Sequence, residues 1–305
     1  FQAEDNIRYH AYSRWLGDVY KRQDKKLLNK LKMLKLIATR STGFDHIDIE
    51  ECKRRNIVVC NVPVYGENTV AEHTFALILD LSRKIHQSYE RTSRGNFSLE
   101  GLRGFDLKGK TIGVVGTGHI GKHVIRIAKG FEMKVIAYDI NENYKLAKKL
   151  GFKYVSFEEL LKDSDIITLH VPYNNSTHHM INKENINLIR RGALLINTAR
   201  GGIVETEALV KALDSGILSG AGLDVLEEES LIKEERQLLS KNFPKENLKT
   251  LLRNHILLTQ ENVIITPHNA FNSREALYRI LETTIINIKS FIKKKPRNIV
   301  ERIEK

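Results

Sequence analysis

The sequence predicts an α/β protein of two domains, each built on parallel strands covered by helices. Three observations carry this. Strand-like and helix-like patterns alternate through the middle of the chain, a shorter βα pattern precedes them, and a glycine-rich turn joins the first central strand to its helix. With 305 residues, 41% hydrophobic and 28% charged, the chain is long enough for two cores and too apolar for disorder.

In chain order, residues 35–39 (KLIAT) read as a strand, 49–55 as a short helix and 57–60 as a strand. A long helix is expected from about Thr69 to Arg94. Residues 111–116 (TIGVVG) form a β-branched run bounded by glycines, and Ile120, Val124, Ile127, Ala128 and Phe131 then recur at helical spacing. Residues 134–138 are a further strand, ending at Asp139. Another, 165–170, is followed by Pro172, which cannot continue a central strand. The apolar runs 193–198, 220–225 and 262–267 also read as strands. Residues 205–213 read as a helix stopped by Gly216. Residues 273–293 form an amphipathic helix, lysine-rich at its end as the helix dipole favours, and it is expected to return to the first domain.

The expected division is therefore 1–66 with 271–305 in one domain and 67–270 in the other. Hinges fall near Gly66 and Phe271, with a ligand cleft between the domains. The first 23 residues break the pattern. Tyr9, Tyr12, Trp15 and Tyr20 share no face, and residues 1–23 are read as a foreign segment, with a lineage-specific variant as the alternative. The first domain would then be truncated by one βα unit and would expose a sheet edge.

Several function classes are excluded by composition. No apolar stretch approaches the ~20 residues of a membrane span, and no apolar run with a cleavage site opens the chain. Two cysteines, Cys52 and Cys60, offer at most one disulfide, which favours a reduced, cytoplasmic setting. The net charge is +12, but the lysines spread along helical faces with no aromatic-interleaved basic motif. A nucleic-acid partner is therefore not expected, although a basic surface also draws acidic substrates in.

Gly116-Thr117-Gly118-His119-Ile120-Gly121 fits G-x-G-x-x-G. Alone that pattern is weak. Here it follows a strand, opens a helix and precedes an acid, Asp139, twenty-one residues beyond Gly118. Gly116 permits the tight turn, Gly118 lets a pyrophosphate approach the backbone, and Gly121 lets the helix pack close to the sheet. The helix N-terminus supplies unpaired N–H groups. Asp139 would bond a ribose 2′-hydroxyl and repel a 2′-phosphate, so NAD is favoured over NADP. The domain is thus of the Rossmann type.

Arg200, Glu229 and His268 each follow one of the apolar strand runs, and strand ends of an open α/β sheet are where ligands sit. A guanidinium can hold a carboxylate through two bonds. A histidine can move a proton to and from a carbonyl oxygen. A carboxylate against that imidazole favours its protonated form and fixes its orientation. Together they point to a small 2-oxo or 2-hydroxy acid as substrate. Within the run Glu227, Glu228, Glu229 the sequence does not separate the three acids. Eleven histidines are present, and His10, His86, His123, His178 and His179 are read as packed or surface residues. No paired His or Cys spacing suits a metal, and no nucleophile elbow suits a hydrolase.

The chain resembles the D-isomer-specific 2-hydroxyacid dehydrogenases, and within them the D-lactate dehydrogenase-like branch. The resemblance runs from about Leu27 to the C-terminus. Its markers are 41–48 (STGFDHID), 61–66 (NVPVYG), Val70-Ala71-Glu72-His73, the glycine motif, 169–172 (LHVP), 197–201, Gly222-Leu223-Asp224-Val225 and 266–271. It implies a smaller, flavodoxin-like substrate domain beside the nucleotide domain. It places the catalytic glutamate twenty-nine residues beyond the arginine, which selects Glu229 as the partner of His268. Thr42 and Gly43 would offer backbone N–H groups to the substrate carboxylate, with Tyr65 nearby. Val171 and Pro172 would line the cofactor site, together with Thr198, while His119 and Ile120 would cover the pyrophosphate. Asp224 would contact the nicotinamide carboxamide. The family implies a homodimer. Phe271 and Tyr65 resemble the lactate branch and favour pyruvate over hydroxypyruvate, glyoxylate or a phosphorylated acid. A non-catalytic, NAD-sensing scaffold is the alternative from another class, and retention of Arg200, Glu229 and His268 counts against it.

Overall fold

The computed structural model describes residues 23–229 and 245–300. The chain divides into two compact units: one takes the residues up to Tyr65 together with those from Arg274, and the other runs Gly66–Ser273.

In the smaller unit, helix α1 (Lys25–Leu28) starts where the Asp24 carboxylate accepts the Leu27 N–H, at 2.8 Å. Strand β1 (Leu36–Ala38) leads to α2 (Ile49–Arg54), capped in the same way by Asp48 on the Glu51 N–H. An acceptor at the N-cap satisfies a donor the helix cannot. Strand β2 (Val58–Cys60) pairs parallel to β1, with Leu36 opposite Val58 and Ala38 opposite Cys60. Leu28, Ile47, Cys52, Ile57 and Val59 form the core between them. Among the described residues this sheet has two strands, fewer than a flavodoxin-like domain holds. The foreign segment expected at 1–23 lies outside the described residues except for Gln23, which bridges to Ile47. Cys52 and Cys60 are both buried free thiols.

The larger unit opens with a correction. One helix was expected to about Arg94, but two form, α3 (Glu67–Arg83) and α4 (Ile85–Ser93). The break is Lys84, held left-handed at φ 53°, ψ 44°. The Asp80 carboxylate accepts the His86 N–H at 2.8 Å and lies 3.1 Å from His86 Nδ1, so the second helix has its own cap.

The sheet follows from the alternation. Strands β3 (Thr111–Val115) and β4 (Lys134–Tyr138) flank α5 (His119–Gly130). Next come α6 (Tyr144–Leu150), β5 (Lys153–Tyr154), α7 (Phe157–Asp163) and β6 (Ile166–Leu169). Strand β7 (Ala193–Asn197), α8 (Thr206–Asp214), β8 (Leu218–Leu223), α9 (Lys245–Thr259) and β9 (Val263–Ile265) complete it. All seven strands are parallel, in the order β5-β4-β3-β6-β7-β8-β9. The order reverses between β3 and β6, the crevice where a doubly wound sheet binds its ligand. Strands β6 and β7 are buried throughout, which explains their unbroken apolar runs. One face packs against α3 and α5 through Phe75, Ile78, Val124 and Ile125. The other packs against α7, α8 and α9 through Leu160, Leu161, Leu209 and Leu257. Periodicity assigns no element to 245–259. There Leu248, Leu252 and Ile256, spaced four apart on one face, stay exposed while Leu257 is buried, so the apolar stripe does not mark the face that packs.

The chain then returns to the smaller unit as α10 (Arg274–Ile292). Asn287 is fully buried there and donates to Asn61 O at 2.8 Å. No helix of the described residues is long and apolar enough to cross a membrane.

Candidate active site

The phosphate turn has the geometry its glycines require. Gly116 sits at φ +93°, and a side chain there would bring Cβ to 2.6 Å from His170 O. A Cβ on Gly121 would collide with Gly116 O, so the first turn of α5 lies directly on the strand end. A Cβ on Gly118 meets nothing within 4 Å. That open approach, at the N-terminus of α5, is what a pyrophosphate needs to reach backbone N–H groups. Two outcomes follow. Gly121→Ala should lower the melting temperature by several degrees or abolish soluble protein. Gly118→Ala should fold normally yet weaken NADH binding by about tenfold or more, since the added methyl occupies the ligand's side of the turn. Thermal melts and NADH fluorescence titration separate the two. Equal melting temperatures for both variants would contradict the packing argument.

Asp139 at the end of β4 is oriented before any ligand arrives. Its Oδ2 accepts from Thr117 N (2.7 Å) and Thr117 Oγ1 (3.0 Å), and its Oδ1 from Asn141 N (2.9 Å). A carboxylate has about four acceptor sites, so capacity for a ribose hydroxyl remains. The sequence pattern treats Thr117 as an arbitrary residue of the motif, yet its hydroxyl also meets Tyr154 OH at 2.8 Å and ties the turn to β5. His119 opens α5 with Nδ1 2.7 Å from Glu67 Oε1. Ile120 packs into the core beneath, and Val171 would touch a Cβ on Gly116. Pro172 is exposed beyond it. The residues therefore fit an adenine dinucleotide.

The three candidate catalytic side chains stand beyond the C-terminal ends of adjacent strands. Arg200 follows β7 and is half-buried. Asn197 locks its turn: Nδ2 donates to Arg200 O at 2.9 Å and Oδ1 accepts Ala199 N–H at 3.0 Å. Arg200 Nη1 donates to Ala199 O at 2.8 Å. Thr198 is buried, its hydroxyl 3.0 Å from that of Thr74 on α3.

His268 follows β9, with Nδ1 3.2 Å from Glu229 Oε2. Of the three consecutive acids, Glu229 is therefore the one that meets it. Glu227 instead lies 2.6 Å from His179 Nε2. His268 holds a left-handed backbone at φ +55°, a conformation that costs a side-chain-bearing residue roughly 1–2 kcal/mol. Asp224 supplies the compensation. It is 1% exposed, and its Oδ1 accepts from Thr266 Oγ1 (2.5 Å) and Asn269 N (2.9 Å) while Oδ2 accepts from Ala270 N (3.0 Å). Bonds to a charged group contribute about 1.5–3 kcal/mol each, so three outweigh the strain. The resemblance assigns Asp224 to the carboxamide, whereas its bonds in this structure go to the His268 loop. His73 on α3 completes the cluster, 3.1 Å from Thr266 Oγ1.

The Phe271 ring meets the His268 ring edge-on, centroids 6.5 Å apart at 79°. His170, also near the phosphate turn, has Nε2 2.8 Å from Thr168 Oγ1 and a buried Nδ1 without a protein partner. Burial pushes its imidazole down to about 3, which leaves it neutral and unsuited to give a proton near pH 7. Thr42, Gly43 and Tyr65 belong to the smaller unit. There Thr42 Oγ1 donates to Val62 O (2.8 Å), Gly43 O accepts from Ser41 Oγ (2.6 Å) and Tyr65 O accepts from Arg279 Nε (2.6 Å). No group of three or more metal-ligating side chains occurs among the described residues.

A glycine cradle and an acid–base pair along one edge of a parallel sheet are the working parts of a nicotinamide-dependent oxidoreductase. Comparison with known proteins narrows the class. Residues 75–270 match the D-isomer specific 2-hydroxyacid dehydrogenase NAD-binding domain. A 2-hydroxyacid dehydrogenase homolog of Haemophilus influenzae is 39% identical over 266 residues, covering 87% of this chain and 78% of the relative. A glyoxylate reductase of Thermococcus litoralis is 38% identical over 287 residues, covering 92% and 80%. Among solved structures, a D-lactate dehydrogenase of Aquifex aeolicus complexed with NAD and lactic acid superposes with a TM-score of 0.82 at 43% identity, covering 91% of this chain and 82% of that one. The chain belongs to the D-isomer-specific 2-hydroxyacid dehydrogenases and is an NAD-dependent enzyme of that family.

Proposed function

We propose that the chain reduces a short apolar 2-oxo acid to its D-2-hydroxy acid, with pyruvate and D-lactate as the pair. The observation that supports the substrate choice is the Phe271 ring edge-on to His268, an apolar neighbour suited to the side chain of a short 2-oxo acid. The D-lactate dehydrogenase among its relatives favours the same reading.

In this reading Arg200 grips the substrate carboxylate and neighbouring carbonyl oxygen, with Thr42, Gly43 and Tyr65 as further substrate residues. His268 turns Nδ1 to Glu229, so Nε2 is the nitrogen that gives a proton to the carbonyl oxygen. Glu229 holds the ring's orientation. NADH, when bound, supplies hydride to C2 of the acid. In the reverse direction His268 takes the hydroxyl proton back. Asp139, Thr198, Val171, Pro172 and the Gly116–Gly121 turn hold the cofactor.

The test is NADH oxidation with pyruvate, 2-oxobutyrate, glyoxylate and hydroxypyruvate. One methyl in an apolar pocket is worth about 10–200-fold in kcat/KM, so pyruvate should exceed glyoxylate by at least tenfold and Phe271→Ala should erode the difference. Preference for glyoxylate or hydroxypyruvate would sink the pyruvate assignment and leave the family chemistry standing.

The same reading includes a homodimer in a reducing, cytoplasmic setting. Ile85 and Tyr89 on α4 are exposed, as are Phe97 and Leu99 just beyond it at 78% and 83%, an apolar patch suited to a second copy of the chain. The buried, unpaired Cys52 and Cys60 suit a compartment that keeps thiols reduced.

A further inference from the structure

A second histidine–glutamate pair lies beside the first. His179 Nε2 is 2.6 Å from Glu227 Oε1, two residues before Glu229. The backbone of His179 is tied to the arginine turn, since its N–H donates to Gly202 O at 2.8 Å. One residue thus grips both arms of the reaction centre, the segment ending in Glu229 and the turn starting at Arg200.

The two arms are in direct backbone contact. A Cβ on Gly201 would collide with the Leu226 carbonyl and the Glu227 nitrogen. Any slackening of Glu227 therefore reaches Arg200 through one layer of atoms. Glu227 is anchored on its other sides as well. Its Oε2 accepts from Thr206 Oγ1 (2.7 Å) and Thr206 N (3.2 Å) at the start of α8, where the N-cap Glu205 gives the helix no side-chain cap and instead accepts from Lys183 N. Its carbonyl accepts from Asn254 Nδ2 on α9 at 2.8 Å. Burial pushes the Glu227 carboxyl up, but the Thr206 and His179 bonds outweigh it and hold it below the usual range, so it is ionised.

Strain is concentrated here. His179 sits at φ +49° and Glu228, between the two paired glutamates, at φ +53°. A left-handed Glu228 is what turns Glu227 toward His179 and Glu229 toward His268. Such conformations persist only where the surroundings over-determine them. The His178 ring stacks on His179 at 3.9 Å between centroids, and Tyr173 OH lies 3.0 Å from His178 Nδ1.

We propose that His179 and Glu227 are a positioning pair that fixes Glu229 relative to Arg200 without touching substrate. This rests on the reading of Arg200, Glu229 and His268 as the reaction centre.

The experiment compares wild type, His179→Ala, His179→Gln and Glu227→Gln, each checked for folding by circular dichroism and assayed well below its melting temperature. Misplacing a reacting group by about an ångström costs on the order of 10²-fold. His179→Ala and Glu227→Gln should lose roughly 10- to 100-fold in kcat/KM for the 2-oxo acid, with NADH affinity within about twofold of wild type. Glutamine places an N–H near the Nε2 position, so His179→Gln should recover most of the loss. Folded His179→Ala with wild-type kcat/KM, even at a lower melting temperature, would make the pair a structural clamp only and overturn the proposal. Wild type that turns over none of the acids would instead mean that the functional reading has failed. Amide hydrogen exchange then decides the pair by itself. Faster exchange of both 198–203 and 225–229 in His179→Ala supports it, and unchanged exchange overturns it.

Discussion

Replacing His268 by alanine is expected to lower kcat for 2-oxo acid reduction by about 10²–10⁴-fold while NADH affinity stays within about twofold. The size follows from what no neighbour can replace. Glu229 is 3.2 Å from Nδ1, on the side of the ring away from Nε2, and so does not stand where the proton is given. His170 follows β6, and with its imidazole pushed down to about 3 by burial it carries no spare proton near pH 7. His73 is committed to Thr266 Oγ1 behind the loop. The carbonyl oxygen of the variant would have to take its proton from water. The fold should tolerate the change, because the left-handed turn at position 268 is held by Asp224 on Thr266, Asn269 and Ala270 and not by the imidazole. Steady-state kinetics beside NADH fluorescence titration decide the matter. A loss below tenfold, with folding intact, would remove His268 as the acid.

Most of the nucleotide unit was legible in the sequence, for local reasons. Ala193–Asn197 and Ile166–Leu169 are continuous apolar runs because both faces of a parallel sheet are covered. The glycines of the cradle are explained by backbone approaches that a Cβ would block, at Gly116 and Gly121, or that a ligand must share, at Gly118. What failed depended on tertiary acts of single side chains. The helix expected to run to Arg94 stops at Arg83 because the Asp80 carboxylate recaps the chain at His86, which periodicity does not register. Helix Lys245–Thr259 escaped because its leucines are largely exposed.

The site divides in the same way. Arg200 and His268 could be singled out because strand ends are visible. Glu227 and Glu229 could not be told apart, because the residue between them is left-handed and sends their carboxylates to different histidines. His179 read as an ordinary packed histidine, since its partner lies 48 residues along the chain. Asp224 carries the family's signature, yet nothing in its spacing shows that a buried carboxylate braces the His268 loop.

The companion expectation concerns Arg200, and a conservative change should be nearly as damaging as a drastic one. Arg200→Ala should cost about 10²–10³-fold in kcat/KM, within the 2–5 kcal/mol typical of truncating one partner of a desolvated charge pair. Arg200→Lys should recover little of it. The planar guanidinium can hold the carboxylate and the adjoining carbonyl oxygen at once, whereas an ammonium is a point charge on a flexible stem. The turn that presents it is also built for its length, with Asn197 locking Ala199 and Arg200 and Nη1 braced on Ala199 O. Because the grip on the carboxylate acts in the ground state and that on the carbonyl oxygen strengthens as negative charge develops there, KM should rise and kcat should fall. NADH binding should change little, since the glycine turn and Asp139 lie at the ends of β3 and β4 and the role read for Arg200 is on the acid. Added guanidinium ion should restore part of the Arg200→Ala activity and none of the His268→Ala activity, which separates loss of grip from loss of the proton donor. Lysine at position 200 with near wild-type KM would show that simple charge, and not the two-point geometry, recognises the acid.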